Sequence, residues 1–333
     1  MKIGKRARLV ALPAVLIVFL AGCSQKAPEP VDKIRLGVET SVLSSPVWIA
    51  ENKGYFQVEG LDVEIKEFGS GKMALRTMLE EGSLDMVTVA QTPITFTSFS
   101  RNDYAIVAIM TYSDKDVKVV GCKDHGIANV LDLKGKTIGV TIGSTGHSFL
   151  SVFLSNNGLA LSDVRIVDMK ATELAKGLAE GKIDAVSTWE PHILDARELL
   201  GTRAILFETK DIFREDWYLV ANRDFMKNHP NAIERLLRAI ERSEEFIRTN
   251  REVSIDIVAG RLKTARKFID KCWDDFEFKL VLDESTIINL EDSARWAISN
   301  RLTDVAKVPN YLDFIYIDAL KAVKPIAVTI PGK

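Results

Sequence analysis

Glu81-Gly82-Ser83-Leu84-Asp85-Met86-Val87-Thr88 returns 99 residues later as Glu180-Gly181-Lys182-Ile183-Asp184-Ala185-Val186-Ser187, and each copy runs into a proline, Pro93 and then Pro191. The echo extends upstream. Asp62-Val63-Glu64-Ile65 is matched by Asp163-Val164-Arg165-Ile166, and Gly37-Val38, ahead of a serine-rich loop, by Gly139-Val140 ahead of Gly143-Ser144-Thr145. Three matches in one order at nearly constant spacing mark an internal repeat. One α/β unit is therefore written twice, and two similar lobes leave a cleft between them, where small ligands usually bind.

The periodicity around the repeat supports this reading. Strands are predicted at 34–38, 61–67, 84–89 and 105–110, with helices at 47–52, 72–81 and 94–100 between them. The second copy gives strands at 137–140, 164–168 and 183–188 and helices at 145–156 and 172–180. Strands alternating with helices of this length predict an α/β fold of two lobes with mainly parallel sheets, whose ligands sit at the carboxyl ends of the strands. Beyond Trp217-Tyr218-Leu219-Val220 the pattern turns mostly helical, at 232–250, 253–262, 284–300 and 311–323, with no third copy of the unit. This tail is expected to pack back onto the first lobe, so the chain crosses between lobes twice, near 112–120 and 213–220, and the two crossovers form a hinge. The expected division is 33–116 with 219–333 as lobe 1 and 117–218 as lobe 2.

The amino terminus reads as an export segment. Lys2, Lys5, Arg6 and Arg8 precede an apolar run at 9–20 that is too short for a comfortable membrane span, and Leu20-Ala21-Gly22-Cys23 follows at once. Residues 1–22 are thus expected to be a signal peptide and 23–32 a tether; a plain signal peptide with an incidental cysteine is the alternative. Removing 1–22 takes away four cations and no carboxylate, turning the formal charge from −2 to −6, which argues against a nucleic-acid partner. Of three cysteines, Cys122 and Cys272 are left either to pair or to stay as separate buried thiols. The four histidines are scattered, and no Cys/His cluster has metal-ligand spacing.

The loops after the strands hold the candidate ligand-binding residues. Gly143-Ser144-Thr145-Gly146-His147 joins a strand to a helix, whose first N–H groups lack internal partners and carry the positive end of the dipole. Ser144 and Thr145 add hydroxyls, and Gly146 lets the backbone approach closely; the alternative is a simple helix cap. His147 either donates to an anion or packs at the helix end. A catalytic role would need a nucleophile and an orienting partner, and none has recognised spacing. Across the cleft, Ser41 and Ser44 lie in the matching loop. Gln91 and Thr92 form a third loop expected to face the same cavity as Ser144, and Trp189 and Glu190 are its counterpart, a flat wall and a carboxylate that either accepts from an ammonium or caps the next helix. Trp48, Tyr112, Trp217 and Tyr218 read as core first and stacking surfaces second.

Taken together, Ile49-Ala50, Lys53-Gly54-Tyr55-Phe56, Glu59-Gly60-Leu61-Asp62-Val63, Asp132-Leu133-Lys134-Gly135-Lys136, Gly143-Ser144 with His147, Gly181-Lys182-Ile183-Asp184-Ala185 and Trp189-Glu190-Pro191 resemble the substrate-binding lipoproteins of ABC importers. The likeness is to the alkanesulfonate, taurine and nitrate branch, which shares its domain with binders of thiamine-pyrimidine precursors. Leu20-Ala21-Gly22-Cys23 likewise resembles a lipobox, which implies lipidation at Cys23 and an anchor outside the cytoplasm. The resemblance implies a type II periplasmic-binding-protein architecture, acting as a monomer that traps a small ligand and docks on a permease driven by an ATPase, with no catalysis and no cofactor. The superfamily's enzyme branch carries a cysteine cluster that this chain lacks. The ligand implied is a small oxoanion such as a sulfonate, taurine or nitrate; the alternatives are a pyrimidine-like or aromatic molecule, and a sensor not coupled to transport.

Overall fold

The computed structural model describes residues 32–207 and 212–330, with Met1 and Gly4 in addition. The expected leader, the lipidation site Cys23 and the tether up to residue 31 lie outside the described residues; Asp32 already belongs to the first strand. Among the described residues no helix is long and apolar enough to cross a membrane.

Four strands open the chain: β1 (Asp32–Glu39), β2 (Leu61–Phe68), β3 (Met86–Ala90) and β4 (Tyr104–Ser113). Then follow β5 (Lys118–Cys122), β6 (Thr137–Val140), β7 (Arg165–Asp168), β8 (Ala185–Thr188) and β9 (Ala204–Phe207), and finally β10 (Glu215–Asn222) and β11 (Phe276–Val281). They form two sheets, ordered β2-β1-β3-β10-β4-β11 and β7-β6-β8-β5-β9. The repeat is visible strand for strand: β1, β2 and β3 correspond to β6, β7 and β8, and each trio is joined by the strand on which the chain arrives from the other half, β10 in the first sheet and β5 in the second.

Each trio is parallel, while β10 and β5 run antiparallel to their neighbours. The α/β class therefore holds, but the sheets are mixed rather than mainly parallel. The reason is where the crossing strands enter. They come from the cleft, where the parallel strands end, and so must run against them. The first crossing, between β4 and β5, lies within the expected 112–120, and the second falls earlier than the sequence suggested. Between β4 and β5 the link is short, and β10 pairs within the first sheet from Glu215 onward, so Glu215–Tyr218 belong with the first half rather than the second. The change of pattern at Trp217 marks the start of the tail, not the crossing. Within that tail, β11 was hidden among helices, and the helix predicted at 311–323 is a 3-10 turn (Tyr311–Phe314) followed by a short helix (Asp318–Val323).

The repeated motif has a packing explanation. Gly82 and Gly181 take positive φ, 62° and 72°, which ends the preceding helical segment without Cβ strain. Leu84 and Ile183 then lie over the central glycines: a Cβ on Gly37 would sit 2.7 Å from Leu84 Cδ1, and one on Gly139 2.4 Å from Ile183 Cδ1. Asp85 and Asp184 pin the start of the central strand, accepting the Arg35 and Thr137 N–H groups, each at 2.8 Å. Asp85→Ala or Asp184→Ala leaves that strand N–H without its carboxylate, and each should lower unfolding free energy by about 1–3 kcal/mol in a urea titration.

Each half has its own apolar core. In the first, Leu36, Val38, Val87 and Tyr218 pack with Ile233, Leu237 and Ile240 of the helix Pro230–Thr249, so the tail does return to the first sheet. In the second, Ile138, Phe149 and Phe153 cluster together, as do Leu174, Val186 and Ile193. Cys122 belongs to a second-half core and Cys272 to the first-half core; both are free, buried thiols.

Candidate ligand-binding cleft

The carboxyl ends of the parallel strands converge between the halves. Glu39 closes β1, Ser70, Gly71 and Lys72 follow β2, Ala90 closes β3, and Pro93 lies just beyond it. Opposite stand Ser144 and Thr145 after β6 and Trp189 after β8, while Glu215 and Trp217 come from the crossing strand β10. The free space is about 10 Å³, about that of a single water centre, so the cleft is shut. A larger open hollow of about 630 Å³ lies along Tyr55, Arg242, Phe246 and Lys324 and holds none of the strand-end loops. Its Arg242 and Lys324 are already paired with Glu59 and Glu244, so the cleft remains the better candidate.

Contacts between the halves hold it closed. Trp189 Nε1 donates to Glu39 Oε1 at 2.6 Å, and Glu39 Oε2 accepts from the Gly71 N–H at 2.5 Å. Lys72 Nζ donates to the Ile142 carbonyl at 2.5 Å. His147 sets its ring edge against Trp296, 5.2 Å between centroids.

The structure sorts the sequence-selected residues. Ser144 and Thr145 line the cavity; the Ser144 hydroxyl is buried without a hydrogen-bond partner, and Thr145 bonds to Glu215. Gly146 lies so close to β8 that a Cβ would sit 2.6 Å from the Ser187 carbonyl oxygen. His147 is the packed alternative: Nδ1 accepts weakly from the Gly143 N–H, and burial pulls the ring down to about 4, leaving it neutral. Ser41, Ser44 and Thr92 have buried hydroxyls without partners but do not line the cavity. Gln91 is committed elsewhere. Its amide donates to the Arg214 carbonyl (2.9 Å) and accepts from the Asp216 N–H (3.0 Å), so of Ser144 and Gln91 only Ser144 faces the cavity. Glu190 does not line the cavity; it takes the capping role, accepting from the Leu194 N–H at 3.0 Å in the first turn of the next helix, and its other oxygen accepts from Lys118 Nζ at 3.4 Å.

Sequence reasoning missed Glu39, Lys72 and Glu215 and put Trp217 in the core first, with stacking second. The signal was positional, since Glu39 ends a parallel strand and Glu215 begins a crossing one. Glu39 and Glu215, with Asp116 and Glu190, make a buried acidic group around the cleft. Burial pushes Glu39 up to about 8, against the pull of its two N–H donors, and Asp116 up to about 7, against the Lys118 ammonium. Burial and then the Asp116 charge hold Glu215 well above the usual carboxylate range, and burial raises Glu190 too. A folded state that keeps protons the unfolded chain has lost is favoured at low pH. Stability from Glu39 and Asp116 is fully present below the unfolded carboxylate range and is lost as pH rises toward about 8 and about 7. Above about pH 6.5, where the buried His147 no longer opposes the trend, unfolding free energy should therefore fall toward about pH 8 by up to about 1.4 kcal/mol per pH unit for each retained proton, read as a lower melting temperature; a rising profile over that range would contradict the burial of these groups.

The cavity thus offers two indole faces, two carboxyl groups, three hydroxyls and one partly buried ammonium. The model of the NMT1/THI5 like family matches residues 43–252. The chain belongs to this family. This NMT1/THI5-like chain is 27% identical over 271 residues to a Bacillus subtilis protein named for aliphatic sulfonate binding, covering 79% of this chain and 80% of the other. It is 28% identical over 218 residues to a Brucella abortus protein named only as a binding protein, 65% of this chain and 66% of the relative, just under two thirds of that relative's length. Among solved structures, the alkanesulfonate-binding protein SsuA from Xanthomonas axonopodis pv. citri, bound to MOPS, superposes with a TM-score of 0.77 at 19% identity, covering 86% of this chain and 99% of that one. That likeness shows the fold, which is the periplasmic-binding-protein fold.

Proposed function

We propose that this chain is the extracytoplasmic solute-binding lipoprotein of an ABC importer, anchored through a lipid on Cys23, which closes its two halves over a small molecule and delivers it to a permease. Residues 33–113 with the β10-to-terminus tail would move as one lobe and 118–207 as the other, about the two crossings. The names of the relatives support ligand capture rather than turnover, and the lipobox-like Leu20-Ala21-Gly22-Cys23 supports the anchor.

For the ligand, the cavity wall supports one of the two classes the sequence left open. Glu39 and Glu215, each at most 3% exposed, flank the space together with Trp189 and Trp217. A sulfonate between two carboxyl groups would face repulsion from every one that ionises. A flat molecule with N–H donors or a positive edge would be stacked by the indoles and bonded by the carboxyls. We therefore favour a flat, donor-bearing heterocycle. The oxoanion reading, a sulfonate, taurine or nitrate, keeps the support of the relatives' names and of the helix start at Thr145.

Melting curves with a panel of aminopyrimidines, aryl amidines, sulfonates and nitrate separate the two, because a ligand of the folded state alone raises stability by about 2.7 kcal/mol at a hundred times its Kd. Stabilisation by sulfonates with none from aminopyrimidines or amidines would reverse the preference.

A further inference from the structure

The two segments that carry the chain between the halves meet at a pair of acids. Asp116 lies in the link between β4 and β5, and Glu215 is the first residue of β10. Their side chains are hydrogen bonded to each other. Two carboxyl groups bond in this way only when the pair keeps a proton, and burial raises both, Glu215 well above the usual carboxylate range. Asp116 Oδ1 also accepts from the Glu190 N–H, whereas Asp116 Oδ2 and Glu215 Oε2 find no N–H or hydroxyl donor among the described residues.

Glu215 also belongs to the cavity wall, beside two further buried atoms without partners, Trp217 Nε1 and Ser144 Oγ. The groups facing the pair are of one sign with few exceptions. Glu39 acts on it from β1, Glu190 from the loop after β8, and the Cys272 thiol, itself pushed up by burial, lies within reach of Asp116 and Glu190. Lys118 is the cation acting on Asp116, and it is already paired with Glu190. Lys72 stands in the cavity wall bonded to the Ile142 carbonyl, and Arg214 is taken by Asp216. Among the described residues the cluster therefore has more carboxyl groups than ammonium partners, and in the closed, unliganded form a proton does the work of a further cation.

We propose that the cleft takes up its ligand in exchange for a proton: a cationic N–H donor enters between Glu39 and Glu215, and the proton shared by Asp116 and Glu215 leaves for solvent. The Glu215 O–H bond breaks, an N–H···O hydrogen bond from the ligand takes its place, and charge in the cluster is unchanged. The inference rests on the donor-bearing ligand class proposed above. Because Asp116 and Glu215 sit on the two crossings, the ligand's cation would bridge the hinge as well as fill the cleft.

Benzamidine, an aryl amidinium that keeps its charge at neutral pH, is the probe. Its affinity, measured by calorimetry between about pH 5 and about pH 8, should tighten about tenfold per pH unit over the range in which the pair holds its proton, and the heat should vary with the ionisation enthalpy of the buffer as release of one proton requires. Glu215→Gln and Asp116→Asn should each flatten that slope; melting curves show whether either variant still folds, and one folded variant suffices. Independently of any ligand, the infrared spectrum of the unliganded protein at neutral pH should contain, beside the band of Glu39, a neutral carboxylic-acid carbonyl band that Glu215→Gln removes. Benzamidine binding with no pH slope overturns the exchange and leaves the ligand class standing. Binding of benzenesulfonate without benzamidine overturns the ligand class. Loss of the slope in Glu39→Gln but not in Glu215→Gln assigns the proton elsewhere, and absence of the Glu215-dependent acid band overturns the shared proton whatever binds.

Discussion

Trp189→Phe should open the cleft while leaving both halves folded. The substitution keeps an aromatic ring at a nearly buried position and removes one atom that matters, the Nε1–H that reaches from the second half to Glu39 Oε1 at 2.6 Å. Glu39 is then left with the Gly71 N–H as its remaining donor among the described residues, in a site with little access to water. A hydrogen bond to a charged or partly charged group is worth about 1.5–3 kcal/mol, and that energy is available only when the halves are together. The ratio of open to closed forms should therefore rise about tenfold to a hundredfold, since each 1.4 kcal/mol is a factor of ten. A distance reporter with one dye on each half, read alongside ligand affinity, checks this. A lengthened distance and weakened binding with an unchanged unfolding transition of each half is the expected result. An unchanged distance distribution would mean that other contacts, such as Lys72 to the Ile142 carbonyl, hold the halves by themselves.

Gly146→Ala should damage the site from behind. The added methyl would meet the Ser187 carbonyl oxygen at 2.6 Å and the Thr188 Cα at 3.2 Å. Both are backbone atoms of β8, so no side chain can swing aside, and the helix Thr145–Asn156 must lift from the strand. Ser187 Oγ, which donates to the Gly146 carbonyl at 2.8 Å, would lose its partner in the same movement. Overpacking of this kind costs about 1–3 kcal/mol. The lift would also carry Ser144 and Thr145 out of the cavity wall, so ligand affinity should fall together with melting temperature. Gly82→Ala makes a useful contrast. Its Cβ would meet nothing within 4 Å, and its cost would come from the positive φ alone, without an effect on binding. Equal binding losses in the two variants would refute the steric account.

Much of the fold could be read from the chain because local rules and global packing agree there. The Gly-x-x-Asp steps at Gly82–Asp85 and Gly181–Asp184 each end a helical segment, cover a central-strand glycine and pin a backbone N–H in the first half of that strand, so the same short pattern had to build the same three-stranded unit twice. Parallel trios need strand–helix alternation, and the alternation is periodic in the sequence. The mixed character of the sheets was not legible. β5 and β10 are short apolar runs with no sign of direction, and their antiparallel sense follows from entering at the cleft, a property of the assembled halves. The same cause hid the start of β10, whose first residues, Glu215 and Asp216, look like a polar link until the sheet buries them.

The candidate site divides along the same line. Loops after parallel strands were identifiable in advance, and Ser144, Thr145 and Trp189 do line the cavity. Gln91 looked equally suited because an amide is free to bind anything in a sequence, whereas in the folded chain the backbone of Arg214 and Asp216 claims both of its ends. The chain by itself determined the duplicated α/β unit, the strand ends that face one another and the hydroxyls placed there, since these depend on neighbours within a few residues. Only the tertiary structure decided that Glu39, Asp116, Glu190 and Glu215, separated by up to 176 positions, share one buried site. Their chemistry is set by mutual proximity and exclusion of water, and neither quantity exists until the two halves have closed.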